Sequence, residues 1–134
     1  MDNSDYSTSI YAKAIRETLP RVLSMLDREA FSKTFGCADR VFWSWKFTDF
    51  PGSRFQEGVY SLAYLFTTPL PDNCYAKDQR VLEWIRAGLG FWARRQRRDG
   101  SFDEAYPFEH SLAATAFGSL AMRCLPMNPD APET

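Results

Sequence analysis

Between Asp103 and Ser111 the chain reads DEAYPFEHS, which places three carboxylates, a phenol, the single histidine and a hydroxyl within nine residues. Two carboxyl groups at a suitable separation can serve as general acid and general base on a glycosidic bond. Tyr106 with His110 is a second combination, suited to taking a proton from the carbon beside a uronate carboxyl. The catalytic candidates are therefore Asp103, Tyr106, Glu109 and His110. A structural role competes with this chemistry. Acidic residues just before a helix complement its dipole, and Glu109 is then an ordinary N-terminal helix residue.

A second cluster lies in DRVFWSWKFTDFPGSR, Asp39 to Arg54. Trp43 and Trp45 are two apart, so in an extended stretch they project to one side and form a platform for stacking on a sugar ring. Arg40, Lys46, Asp49 and Arg54 can hold an acidic sugar or a phosphate through charge-assisted hydrogen bonds. The competing role makes both tryptophans anchors of a long loop held by Asp–Arg pairs. RRQRR, Arg94 to Arg98, falls in the last turn of a helix, where cations favour the dipole. With a net charge of −1 the chain has no overall field for nucleic acid, and no such partner is expected.

These residues need a scaffold, and the composition supplies one. A chain of 134 residues, 45% hydrophobic and 25% charged, fits one folded domain spanning 1–134. The aromatic share of 16% can fill a core or line a cavity. Cys37, Cys74 and Cys124 lie far apart with no C-x-x-C pair, so no zinc site is expected, and neither is a cofactor. The polar, acidic start MDNSDYSTSI lacks a signal segment, and nowhere do eighteen apolar residues run together. The expectation is a cytoplasmic protein with reduced thiols and no membrane span.

Helical periodicity dominates. Ile10, Ala14, Leu19, Val22, Leu23 and Leu26 predict a helix over 6–29, kinked or split at Pro20. Residues 35–52 hold no period, though Val41 to Trp45 fits a short strand or one helical turn. Ser53 reads as an N-cap with Gln56 as the reciprocal half of a capping box, opening a helix to Phe66 through Val59, Leu62 and Ala63. Asp78 caps a helix that runs to about Arg97, with Val81, Leu82, Ile85, Leu89, Trp92 and Gln96 on its apolar stripe. Asp99-Gly100 ends it, since glycine accepts the left-handed conformation of a helix stop. A last helix spans roughly Glu109 to Leu125 before the tail PMNPDAPET. The fold class is thus all-α, built of two helical hairpins.

The hairpins echo one another. Phe50-Pro51 and Tyr106-Pro107 stand 56 residues apart, each opening a helix poor in charge after a helix rich in it. From Arg86 the chain reads RAGLGFWARRQRRDGSF, with Gln96 followed by Gly100 and the aromatic Phe102. This resembles the QW repeat of the terpenoid-cyclase and prenyltransferase superfamily, except that Phe102 stands where the family has Trp. The resemblance implies that Gln96, Gly100 and Phe102 are structural, tying an outer helix to the next inner one in an (α/α) toroid. More distantly the chain is similar to prenyltransferase-like toroid proteins of bacterial surface-polysaccharide systems, a fold class that includes polysaccharide lyases using a Tyr and a His. A complete toroid needs more hairpins, so the resemblance implies the N-terminal part of a larger protein, or hairpins that assemble between chains by self-association.

No D-x-D-D acid motif and no set of prenyltransferase zinc ligands occurs, so cyclase or prenyltransferase activity is not expected. The expected function is a module of a bacterial polysaccharide-related protein, forming one wall of a cavity for a carbohydrate or lipid-linked sugar. The alternatives are a polysaccharide lyase or glycoside hydrolase using Tyr106, Glu109 and His110, and a structural helical domain for protein–protein association.

Overall fold

The computed structural model of the chain describes residues 3–124, with side chains described from residue 10 to residue 123. It is all-α. Five helices occupy the described residues: α1 (Asn3–Met25), the single turn α2 (Arg40–Trp43), α3 (Gly58–Thr67) entered through a 3-10 helix (Ser53–Glu57), α4 (Gln79–Arg95) and α5 (Leu112–Cys124). Among these residues the only β pairing is an isolated antiparallel bridge between Phe102 and Ser111.

The apolar helix α3 is central, because it carries no charge and cannot sit at the surface. It packs against α1, α4 and α5, and buries Val59, Leu62, Ala63, Leu65 and Phe66. Leu19 and Leu23 of α1, with Leu26 just after it, meet it from one side, and Val81, Leu82 and Ile85 of α4 from another, in one core cluster. A smaller cluster joins α4 to α5: Trp92 and Phe102, each 0% exposed, with Ala114. Gly118 makes that contact close, for a Cβ there would stand 2.6 Å from the Trp92 ring.

Several boundaries differ from the sequence expectation. Helix α1 stops at Met25, not residue 29, and runs through Pro20 as one element. Its N-terminal half buries Ala12 while Ile10 is 51% exposed, so the buried stripe is rotated from the expected one. The stop is set from outside the helix. Arg40 Nη1 donates to the Ser24 carbonyl at 3.0 Å and Trp43 Nε1 to the Met25 carbonyl at 2.8 Å, satisfying carbonyls that a helix end leaves unpaired. The final helix begins at Leu112, so Glu109 and His110 lie in the preceding loop. Its expected end at Leu125 and the tail lie outside the described residues.

The capping box at Ser53 does not form. The 3-10 helix has no side-chain cap, and Ser53 donates its hydroxyl to the Asp103 carbonyl instead. Gln56 is 2% exposed and faces inward, where three backbone groups need a partner. Its Oε1 accepts from the Ala38 amide at 2.6 Å, and its Nε2 donates to the carbonyls of Gly36 at 2.9 Å and Gly88 at 3.0 Å. Gly36 itself, at φ +89, touches α4 so closely that a Cβ would lie 2.1 Å from the Ala87 carbonyl oxygen. Gln56 is therefore the peg joining the loop after α1, the start of α3 and the middle of α4.

Candidate functional site

The loop from Asp99 to Ser111 is organised around two carboxylates. Asp103 is 8% exposed, and its Oδ2 accepts from Arg97 Nε at 2.9 Å and the Phe108 amide at 3.0 Å. Its Oδ1 accepts the His110 amide at 3.0 Å, and Arg97 adds a second, Nη2 contact to Oδ2. Glu109 folds back in the opposite sense. Its Oε2 accepts the amides of Glu104, Ala105 and Tyr106 at 3.0, 2.8 and 3.3 Å. Phe108 and His110 adopt left-handed φ values of 64° and 52°, which is the backbone cost of aiming these groups.

The electrostatics follow from those partners. Burial alone would raise the Asp103 carboxyl, but the Arg97 guanidinium and the His110 and Phe108 amides outweigh it and hold the group below the ordinary carboxylate range. The Ala105 and Glu104 amides likewise lower Glu109. Both groups are thus held ionised, a state suited to accepting hydrogen bonds and unsuited to donating a proton.

His110 is positioned by Asp99 and Ser101. Its Nδ1 lies 2.9 Å from Asp99 Oδ2 and 2.7 Å from the Ser101 hydroxyl, which in turn donates to Asp99 Oδ1 at 2.7 Å. The three residue types match a nucleophilic triad, but the connectivity does not. A triad needs the hydroxyl and the carboxylate on different ring nitrogens, and here both meet Nδ1. Tyr106 is 69% exposed, and no hydrogen bond joins it to His110 among the described residues. The structure thus brings Asp103, Glu109 and His110 into one loop, the two carboxylates accepting backbone amides and His110 lying against Asp99 and Ser101, and leaves the Tyr106 side chain outside.

The second candidate cluster is dispersed. Trp43 belongs to α2 and caps α1, whereas Trp45 is 51% exposed and lies under Arg40, whose guanidinium stands 5.7 Å from its ring centre. The shared platform expected of an extended chain is absent because α2 is helical. Lys46 and Asp49 are exposed. Arg54 is engaged within the fold: its Nε meets Glu57 at 2.8 Å, Nη1 meets Glu104 at 3.6 Å, and its guanidinium lies 4.8 Å from the centre of the Phe117 ring. Asp39, which sequence reasoning passed over, sets this segment. It is buried, caps α2 through the Val41 amide at 3.1 Å and closes the loop through the Gly52 amide at 2.8 Å. Its position one residue ahead of a helical turn was the available signal.

The resemblance assigned Gln96 to the link between outer and inner helices. Gln96 is exposed and donates to the Gly100 carbonyl at 2.9 Å, inside its own turn. Gly100, at φ +86, makes the turn, and Phe102 lies against Trp92 with ring centres 5.7 Å apart. Cys37 is buried, which pushes its thiol up to about 12 and leaves it protonated near neutrality. No cluster of three or more metal-ligating side chains occurs among the described residues.

Two concave features adjoin the candidate residues. A groove of about 350 Å³ runs between α3 and α5, lined by Glu57 and Tyr60 on one side and Phe117, Leu120 and Ala121 on the other. A cleft of about 190 Å³ lies at the C-terminal end of α4, where Phe50-Pro51 and Pro107 converge with Arg94, Arg95 and Arg97. The two share no lining residue. Comparison with known proteins yields nothing to set beside this geometry: no family model, no curated protein and no solved structure matches the chain.

Proposed function

We propose that the chain is a non-catalytic helical module of toroid type whose inner helices α3 and α5 build part of the wall of a cavity for a lipid-linked sugar. The observation that carries this reading is the groove between those helices. Tyr60 is 37% exposed, Phe117 53% and Leu120 58%, so an aromatic and aliphatic surface faces outward from the two least charged helices. Apolar walls with a few placed polar groups suit a ligand with a hydrocarbon portion, and aromatic rings suit a sugar face. Glu57 and the Arg54 stacked on Phe117 supply the polar edge. The alternation of charged α1 and α4 with apolar α3 and α5 supports a layered arrangement that further hairpins extend.

Calorimetric titration with a short-chain polyisoprenyl-phosphate sugar tests the reading. The native chain binds, and the double substitution Tyr60→Ala with Phe117→Ala weakens binding at least tenfold while leaving the circular dichroism spectrum unchanged. Equal affinity of the double variant, or no binding to the native chain, overturns it. A second reading is association through the same face, favoured by Phe117 and Leu120, 53% and 58% exposed on α5. Sedimentation velocity separates the two, since only association makes the sedimentation coefficient rise with chain concentration.

A further inference from the structure

We infer that the outward face of α5 is a homodimer interface, in which α5 packs antiparallel against α5 of a second copy about a two-fold axis at Ala116. Helix α5 lays Ala114 and Gly118 against Trp92 and turns Leu112, Ala116, Ser119, Leu120 and Arg123 to the outside. Leu112 is 83% exposed and Leu120 58%. The helix carries no carboxylate, and its one charge is Arg123 in the last turn. Leu112, Ala116, Ser119 and Arg123 recur at alternating four- and three-residue spacing, so they form one ridge along the helix, with Leu120 beside it. Exposed leucines on such a ridge gain stability when a second apolar ridge takes them out of water.

Register and charge together make that second ridge another copy of α5. A two-fold axis at Ala116 sets Leu112 of each copy opposite Leu120 of the other. Ala116, the smallest side chain of the ridge, then meets itself and lets the helices approach closely. The same register carries Arg123 of each copy onto the loop that precedes α5 in the other, and that loop is acidic. Glu104 Oε2 accepts the Ser111 hydroxyl at 3.0 Å, which holds a carboxylate beside the first turn of α5. Arg54 stands 3.6 Å from the other oxygen of Glu104. Glu109 is exposed, and the Ala105 and Glu104 amides keep it ionised. Arg123 is exposed and has no carboxylate within ion-pair distance among the described residues. Parallel packing about the same residue would set Arg123 against Arg123 and acidic loop against acidic loop, which repulsion opposes. Of the residues lining the groove between α3 and α5, only Leu120 belongs to this interface.

The homodimer rests on the association reading of α5 and supplies its partner and register. Sedimentation velocity on the full chain over a concentration series tests it, with glutamate and lysine, both good helix formers, placed at exposed positions. The native chain should exchange between monomer and dimer as concentration rises. Ala116→Glu and Ala116→Lys should each weaken the dimer at least tenfold, because residue 116 meets its own copy, and an equimolar mixture of the two should restore it. Leu112→Glu mixed with Leu120→Lys should dimerise more tightly than either variant alone, which only the antiparallel register allows. Arg123→Gln should weaken the dimer at low salt and make little difference at high salt, and Tyr60→Ala should leave it unchanged. Circular dichroism checks the fold of each variant; should a charged variant at 116 fail to fold, the pair at 112 and 120 carries the comparison. A chain that stays monomeric at every concentration overturns the homodimer and the association reading together. Association that the variants at 116 leave unchanged, that mixing them does not restore, or that gains nothing from the mixed pair at 112 and 120 overturns the homodimer alone.

Discussion

Gln56 shows how much of this fold rests on single polar side chains. It bonds three buried backbone groups from two other segments, so truncation strands the Ala38 amide and the Gly36 carbonyl and removes a second donor from the Gly88 carbonyl, which keeps its helical partner. Each stranded group costs about 1–3 kcal/mol, and Gln56→Ala should lower unfolding free energy by at least about 3 kcal/mol in urea denaturation. Gln56→Glu should be no better, because a carboxylate cannot donate to the Gly36 and Gly88 carbonyls. Asp103 gives a second residue-scale expectation, with a definite sign. Its folded-state pKa is depressed, so it contributes stability that is full above the unfolded value near ~3.9 and is lost as pH falls through the lower folded value. Melting temperatures of Asp103→Asn should therefore fall less steeply than those of the native chain below about pH 4. Parallel pH profiles for the two proteins would show that Arg97 and the loop amides do not hold the charge.

At the scale of elements, the joints are where close packing leaves no slack. A Cβ at Gly36, where φ is +89, meets the α4 backbone at 2.1 Å, whereas one at Gly88 meets side chains, the Val59 methyl nearest at 2.6 Å. Gly36→Ala should accordingly cost more stability than Gly88→Ala, by calorimetry on both variants. Helix α5 is started by Ser111, whose hydroxyl accepts the Ala114 amide at 3.1 Å and donates to Glu104 at 3.0 Å. Ser111→Ala should cost about 1 kcal/mol, as loss of an N-cap does, read as a lower denaturation midpoint with an unchanged slope. The elements were largely legible in the sequence. Val59, Leu62, Ala63 and Phe66 are the predicted stripe of α3 and all are buried, and Asp78 caps α4 through the Arg80 amide at 2.8 Å. The failures fall at ends. The end of α1 is set by Arg40 and Trp43 arriving from α2, and α5 starts three residues after Glu109 because Glu109 serves the preceding turn.

Across the described residues, one core is centred on α3 and a smaller one on Trp92, yet Leu112, Phe117 and Leu120 leave α5 apolar on its outer side. No helix among the described residues is long and apolar enough to cross a membrane. The candidate site was legible in composition more than in role. In DEAYPFEHS the polar groups converge on the loop's own backbone: Asp103 and Glu109 together accept hydrogen bonds from five backbone amides. Arg94 and Arg95, which the sequence reads as helix-end charges, lay their guanidinium groups over Phe91. What the sequence by itself determined is helical identity, because propensity, periodicity and caps act over a few neighbouring residues. Only the tertiary structure decided the partners of the polar side chains. Gln56 serves groups 18 to 32 residues away and Ser53 one 50 residues away, and a side chain with several hydrogen-bonding choices takes the partner that burial would otherwise leave unsatisfied.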